Sequence, residues 1–412
     1  MKFLYNIGIG LLALVMRVGA LFTVKLSKGV VGRKRIWSDV QAFKQREKRP
    51  TIWFHCASYG EFEQGRPVLE AIRKEFPQHA VFLTFFSPSG YDAFAHKQVA
   101  DGVSYMPLDN VAHAQRWFDE LQPVMWVLVK YDLLANHLLQ AHQRQIPVIL
   151  FASNLRSDQA YFGWMRRLWE KALSPVFAWH VQTERSRALL QEWLGDRVQI
   201  SGDTRADRVL QIAETPLEWE MPRSMQTSCV VVAGSTWRQD ELLWREWMNQ
   251  DATGVQLFIV PHEVSAARIA EVRQLFPEAV CWSACGPEKC SEVRVVIVDQ
   301  MGLLSKLYRF ADVAYIGGGF GSGIHNTLEP AAYGVPILFG PRYEKFEEAK
   351  GLIEVGAACG GNAAELQTQW LIWLRNPEER HTAGGKAKKY VDQMRGATER
   401  VMRSIRQALE KP

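Results

Sequence analysis

The 412-residue sequence has no Asp-x-Asp pair and no Gly-x-Ser-x-Gly elbow. The first absence gives no support to a metal-bridged diphosphate, and no metal is expected. The second argues against the nucleophile of an α/β-hydrolase. Cysteine is scarce: Cys56, Cys229, Cys281, Cys285, Cys290 and Cys359 are the only six. Three of them cluster at 281–290, but with no zinc spacing and no close histidine, so they read as unpaired cytoplasmic thiols. There is no repeat of solenoid period and no low-complexity tract. Excess charge is small, 49 basic against 44 acidic residues, a net +5 with no basic stripe. That balance suits anionic substrates or an anionic membrane surface and argues against nucleic acid as a partner. Nothing implies a cofactor.

What is present is apolar and aromatic: 47% hydrophobic residues, with 15 Trp and 20 Phe. At this length two cores are expected. Phe3 to Val24 is almost continuously apolar, broken by Asn6 and Arg17, and Lys25, Lys28, Arg33, Lys34 and Arg35 follow. A cleaved signal peptide would carry a shorter apolar region and a better cleavage site than Val18-Gly19-Ala20. A retained anchor, spanning or lying in the interface, explains the basic flank better and leaves the body cytoplasmic.

From Thr51 onward short apolar runs alternate with amphipathic stretches, the mark of parallel sheets covered on both faces. Strands are expected at Thr51–Cys56, Ala80–Phe85, Pro123–Val129, Pro147–Phe151, Ala178–Gln182 and Val198–Ser201, with a helix at Gly65–Glu75 after the first. The polar stretch Glu214–Arg223, with Pro216 and Pro222, interrupts the pattern. It restarts with strands at Ser228–Ala233, Gln256–Val260, Val293–Val298, Val313–Ile316 and Ile337–Leu338, and a charged helix is expected over Arg380–Lys411. The expected division is an anchor and basic flank at 1–35, a first α/β domain at 36–215, a second at 216–385 and a C-terminal helix at 386–412. Ligands of such folds sit beyond the carboxyl ends of the strands.

The densest motif is Tyr315-Ile316-Gly317-Gly318-Gly319-Phe320-Gly321-Ser322-Gly323-Ile324-His325-Asn326-Thr327-Leu328-Glu329-Pro330. A strand runs into a glycine-rich turn and then a helix, an arrangement that lets backbone N–H groups approach a phosphate. It is neither a first-unit Gly-x-Gly-x-x-Gly nor a lysine-bearing Walker loop. Its late position favours a sugar nucleotide over a dinucleotide. A packing turn is the plain alternative, because Asn326 and Glu329 have capping-box spacing, although Pro330 fits that poorly. The second motif is Ser58-Tyr59-Gly60-Glu61 after the first strand. Glu61 is either a base for an acceptor hydroxyl or the acid that complements the next helix dipole. Polar strand ends recur at Lys130-Tyr131-Asp132, Asn154-Leu155-Arg156-Ser157, Gly202-Asp203-Thr204-Arg205, Gly234-Ser235-Thr236, Pro261-His262-Glu263 and Met301-Gly302.

Taken together these motifs, with Phe86-Ser87-Pro88-Ser89-Gly90 and the run His325 to Pro336, resemble the transferases of 3-deoxy-D-manno-oct-2-ulosonic acid (Kdo) in lipopolysaccharide assembly. The resemblance runs from residue 1 to about 360. It implies a GT-B glycosyltransferase: two Rossmann-like parallel-sheet domains facing a cleft, with an N-terminal membrane-anchor helix at the cytoplasmic side of the inner membrane. It implies CMP-Kdo as donor, a lipid A precursor as acceptor, inner-membrane lipids as surroundings, and inversion without a metal. Glu61 matches the catalytic base, with Asp132 beside it. Asn326 and Glu329 match donor-binding positions, and Met301 and Gly302 a loop near the cytosine. Ser235, Thr236, Pro261, His262, Gly318 and Gly319 complete the expected donor site. Ser58, Gly60, Lys130, Arg156 and Arg205 are the expected sugar and acceptor contacts. Two departures stand out: relatives read Glu-Thr-Glu where this chain has Lys130-Tyr131-Asp132, and Pro-Arg-His where it has Pro261-His262-Glu263. The rival readings are a UDP-sugar GT-B transferase, an epimerase of the same architecture and an inactive sugar-lipid binding homologue.

Overall fold

The computed structural model describes residues 1–159, 162–163, 165–221, 227–250 and 253–410. The chain divides into two compact units, Met1–Asp207 with Gly396–Pro412, and Arg208–Arg395. Pro222 and Arg223 of the expected interdomain break, and Lys411 of the expected last helix, lie outside the described residues.

The first unit opens with helices α1 (Lys2–Gly19), α2 (Val24–Arg33) and α3 (Ile36–Arg46). Its sheet is built from β1 (Thr51–Cys56), β2 (Ala80–Phe85), β3 (Gly102–Tyr105), β4 (Pro123–Val129), β5 (Val148–Ser153), β6 (Val176–Val181) and β7 (Val198–Ile200). All pairings are parallel, in the order β3-β2-β1-β4-β5-β6-β7. The second unit repeats the plan with β8 (Cys229–Thr236), β9 (Val255–Pro261), β10 (Val280–Cys281), β11 (Val295–Ile297), β12 (Val313–Ile316), β13 (Ile337–Phe339) and β14 (Ala358–Gly360). Its order is β10-β11-β9-β8-β12-β13-β14, again parallel throughout. Strands such as Thr51–Cys56 and Ala80–Phe85 are buried at every position, as covering on both faces requires. In each sheet the strand order reverses at the first strand, between β1 and β4 in one unit and between β8 and β12 in the other. Those two points are where open α/β sheets leave a crevice at their carboxyl ends.

Three strands went unread in the sequence: β3, β10 and β14. All are edge strands of two to four residues, too short to show a period. Helix α4 (Tyr59–Glu75) begins six residues before the expected Gly65. Gly60, Gly65 and Pro67 hide its first turns. Gly65 is there for packing, since a Cβ at that position would sit 2.8 Å from Val129 Cγ2 and 3.0 Å from Phe54 Cε1.

The expected single terminal helix is two, Pro377–Asp392 and Ala397–Glu410, broken where Gly396 takes φ +84°. The last one returns to the first unit. Asp207 accepts the N–H groups of Gly396 (2.7 Å) and Thr398 (2.6 Å) at its start. Val401, Met402, Ile405 and Ala408 join the core cluster of Phe54, Leu69 and Ile72, and Ser404 meets His180 at 2.9 Å.

One cysteine reading is corrected. Cys285 and Cys290 form a disulfide, with Cα atoms 5.3 Å apart, inside the usual range for a bridge. The helix Trp282–Cys290 is interrupted at Gly286, φ +64°, and that kink brings together two residues a continuous helix would keep apart. Cys56, Cys281 and Cys359 are free thiols.

Candidate active site

In the first unit the chain leaves β1 at Cys56 and enters α4 through Ser58, which is extended and serves as the N-cap without a side-chain cap bond. Glu61 is therefore the third residue of a helix, not part of a loop. Its Oε2 accepts the Ala57 N–H at 2.6 Å, closing the turn back onto the strand end. Burial pushes the Glu61 carboxyl above the ordinary carboxylate range, and Asp132 pushes in the same direction. Lys130, the Ala57 N–H and His55 pull it back. Glu61, Lys130 and Asp132 thus share one electrostatic neighbourhood, at the carboxyl ends of β1 and β4 where the strand order reverses.

Two features fix that neighbourhood. His55 is fully buried in β1; its Nδ1 meets Thr84 Oγ1 at 2.8 Å and its Nε2 meets Asp132 Oδ2 at 3.2 Å. Lys130 has φ +63°, a left-handed conformation unusual for a lysine. Ser153 Oγ donates to its carbonyl at 2.5 Å, and its N–H donates to the Phe151 carbonyl at 2.7 Å. The remaining candidates are placed differently. Gly60 is exposed, with open space where a Cβ would be. Arg156 is exposed and meets Asp158 at 3.2 Å, and Arg205 is held by Asp203 at 2.6 Å.

In the second unit the glycine turn follows β12, and close packing dictates its composition. A Cβ on Gly317 would lie 2.3 Å from the Ser235 carbonyl oxygen, and one on Gly319 would lie 2.6 Å from Gly340 N and Cα. Gly318 has φ +91°. Beneath the turn sits Asp240, buried to 1% exposure. It accepts the Tyr315 hydroxyl (2.6 Å), the Trp237 N–H (2.9 Å) and the Gly318 N–H (3.0 Å). The Gly317 N–H goes to the Gly234 carbonyl, and those of Gly321 and Gly323 go to the Gly318 carbonyl. The N–H groups of Gly317, Gly318, Gly321 and Gly323 are thus spent internally, and an acidic group lies beneath the turn.

Asn326 precedes the helix Leu328–Ala332, whose N-cap is Thr327. Its Oδ1 accepts the Leu328 N–H at 3.1 Å and its Nδ2 donates to Glu329 Oε1 at 3.0 Å. The pair is one unit, but no capping box: Asn326 stands one residue before the cap. Pro330 is the third helical residue, and the helix has five residues in all, too short for a large dipole. Around this pair, Thr236 Oγ1 donates to Glu241 at 2.9 Å, and Arg268 closes a buried ion pair with Glu241 at 2.5 and 2.6 Å. Ser235 takes φ +54° at the end of β8. Pro261 ends β9, and the His262 N–H donates to the Thr236 carbonyl at 3.0 Å. The His262 ring lies between Trp237 (4.8 Å) and His325 (4.4 Å) in stacked geometry. Burial first, then His262, lowers the His325 pKa to about 4, so the His325 ring of this aromatic shelf is neutral near pH 7. Met301 is 87% exposed beyond β11, beside Gly302 at φ +82°. Among the described residues no group of three or more His, Cys, Asp or Glu side chains could hold a metal ion.

Sequence reasoning missed Asp240, His55, Trp237 and His325. His55 had a signal, being a lone histidine within an apolar strand. Asp240 had none: it stands in Arg238-Gln239-Asp240-Glu241, which reads as an exposed helix start.

Comparison with known proteins bears on this geometry. Residues 34–208 match the family model of 3-deoxy-D-manno-octulosonic-acid transferase (kdotransferase). Curated Kdo transferases from several bacteria match over most of the chain. That of Chlamydia pneumoniae is 28% identical over 372 residues, covering 87% of this chain and 85% of its own.

The chain is similar to the Kdo transferases over most of its length.

Its fold is GT-B. Acinetobacter baumannii MurG superposes with a TM-score of 0.56 at 11% identity, over 86% of this chain and 100% of its own. A putative UDP-N-acetylglucosamine 2-epimerase from Listeria monocytogenes does so at 0.56 and 16%, over 89% and 98%. At those identities the likeness speaks to fold alone. It matches the two Rossmann-ordered sheets and leaves the chemistry to the residues of the sites.

Proposed function

We propose that this chain transfers Kdo from CMP-Kdo to a lipid A precursor, with inversion at the anomeric carbon and with Glu61 as general base. The observation that carries the proposal is Glu61 itself: a half-buried carboxyl with a raised pKa, at the switch point of the first sheet, within the stretch 34–208 that matches the Kdo transferase model. A base raised toward neutrality takes a proton from a hydroxyl more readily than an ordinary carboxylate does. Displacement by a hydroxyl activated on one face gives inversion in a single step. Lys130 keeps Glu61 ionised enough to act, and Asp132 keeps it basic. The donor is assigned to the second unit, with the nucleotide against Asn326, Glu329 and the Trp237–His262–His325 shelf. Met301 and Gly302 are assigned to the base, and Ser235 and Thr236 to the edge of the same site. Lys130, Arg156 and Arg205 are the cations from which a partner for the Kdo carboxylate is drawn. No step of this reading needs a metal or a cofactor. α1 is long and apolar enough to cross a membrane by length and composition, which supports an inner-membrane location with the body on the cytoplasmic side.

The donor assignment is tested by thermal shift with CMP-Kdo and UDP-N-acetylglucosamine in parallel. Stabilisation by the cytidine donor alone supports it. Stabilisation by the uridine donor alone returns the chain to the UDP-sugar reading, and stabilisation without turnover returns it to the inactive sugar-lipid binder.

A further inference from the structure

We infer that α1 lies in the plane of the membrane surface rather than crossing it, with its outer face and the turn after it seated on an anionic bilayer. This rests on the membrane association proposed above and gives it a geometry. A helix of 18 residues is about 27 Å long, against a hydrocarbon core of about 30 Å, so a crossing would need all of it. The body of the first unit holds it at both ends. At one end the Tyr5 hydroxyl donates to Asp109 Oδ2 at 2.5 Å, and Asn6 Oδ1 accepts from Asn136 Nδ2 at 2.9 Å. The Tyr5 ring meets Trp169 edge-on at 5.9 Å. At the other end Met16 is buried, and Ala13, Met16 and Arg17 form one wall of a cavity of about 210 Å³ whose other walls include Trp37, Leu108 and His113. From Tyr5 to Arg17 is about 18 Å of helix. If α1 crossed the bilayer, everything fixed along those 18 Å would be drawn into hydrocarbon. That includes Asp109, 2% exposed, which also accepts the N–H groups of Asn136 and His137 at 3.0 Å each.

The opposite face is apolar and open. Leu4, Ile7, Leu11, Leu14, Val15 and Val18 are exposed at helical spacing. The turn into α2 exposes Leu21 (81%), Phe22 (80%) and Val24 (75%). Charge selects the occupant. The first acidic residue of the chain is Asp39, and seven basic residues precede it. Of these, Lys28 is paired with Asp92, and Arg33 is turned inward onto the Met106 and Phe86 carbonyls. Lys2, Arg17, Lys25, Lys34 and Arg35 remain for lipid headgroups. An apolar face, a basic flank and contact with the body toward both ends are the marks of an interfacial helix.

The test places a cysteine at the start of α1 in the full-length protein, Lys2→Cys, with Lys345→Cys as a body control. An impermeant maleimide is applied to spheroplasts and to inverted vesicles, and labelling is read on the peptide carrying each cysteine. The in-plane helix predicts that both positions are shielded in spheroplasts and labelled in inverted vesicles. Labelling of Lys2→Cys in spheroplasts overturns it. In a second arm, purified protein is floated with phosphatidylglycerol or phosphatidylcholine vesicles. Flotation with the anionic vesicles, at least tenfold reduced in a Leu21→Glu/Phe22→Glu variant, is expected. Undiminished flotation of the variant overturns the proposed contact. Failure of the unaltered protein to float with either vesicle sinks membrane association itself, while transfer to a detergent-dispersed acceptor still reports on the proposed chemistry.

Discussion

Replacing Glu61 by Gln separates the two roles a carboxyl can have at the start of a helix. The amide keeps the shape and can still accept the Ala57 N–H. Burial is the largest influence on Glu61 and raises its pKa, so the fold disfavours the charge relative to the unfolded chain. By linkage, the neutral amide leaves stability at pH 7 unchanged or higher. A carboxylate kept only to complement the helix dipole would give the opposite sign, a loss of about 0.3–1 kcal/mol. Catalysis moves the other way: loss of a general base lowers turnover about 10²–10⁴-fold. The assays are single-turnover transfer from CMP-Kdo and urea unfolding on the same preparation. Near-normal turnover in Glu61→Gln, or a clear stability loss with turnover retained, refutes the reasoning.

The same site makes a pH prediction. The base works ionised, so kcat/KM falls as pH drops through the raised Glu61 pKa, and the acidic limb lies above the ordinary carboxylate range. Because Asp132 raises that pKa and Lys130 lowers it, Asp132→Asn moves the limb to lower pH and Lys130→Gln moves it higher; limbs that stay put contradict the coupling. In the second unit, Asp240→Ala strands the Tyr315, Trp237 and Gly318 donors. At about 1–3 kcal/mol for each donor left without a partner, partly offset by water, a loss of about 3 kcal/mol in urea unfolding is expected. Gly319→Ala brings a Cβ against the Gly340 backbone at 2.6 Å and is expected to cost about 1–3 kcal/mol with weaker donor binding. His180 is buried and resists protonation until about pH 4, whereas an unfolded histidine titrates near 6.5. Between those values the unfolded chain holds more protons, so stability falls as pH falls from about 6.5 to about 4. His180→Asn flattens that part of the curve in urea midpoints.

Much of the architecture was legible because the central strands are continuous apolar runs. Thr51–Cys56, Ala80–Phe85, Pro123–Val129 and Val313–Ile316 stand where the sequence puts them. The edge strands were not legible, because two to four residues carry no period. The start of α4 was hidden by Gly60, Gly65 and Pro67, and with it the fact that Glu61 is helical. In the glycine turn, spacing alone could not tell a phosphate cradle from a backbone folded over a buried acid. Asp240 takes up the Gly318 N–H, and it lies 78 residues away in the chain from Gly318. Its role is a property of the parallel pairing of β8 with β12, which no local pattern encodes. The His262–His325 stack is of the same kind, joining the ends of two strand-loop units far apart in sequence.

The central claim is that this chain moves Kdo onto a lipid A precursor, and product mass tests it most directly. Purified protein is incubated with CMP-Kdo and lipid IVA, and the lipid is read by mass spectrometry. The account predicts new species heavier than the acceptor by one or more Kdo units, formed without added metal and lost in Glu61→Gln. An acceptor of unchanged mass, or one extended only when a UDP-sugar replaces CMP-Kdo, contradicts it.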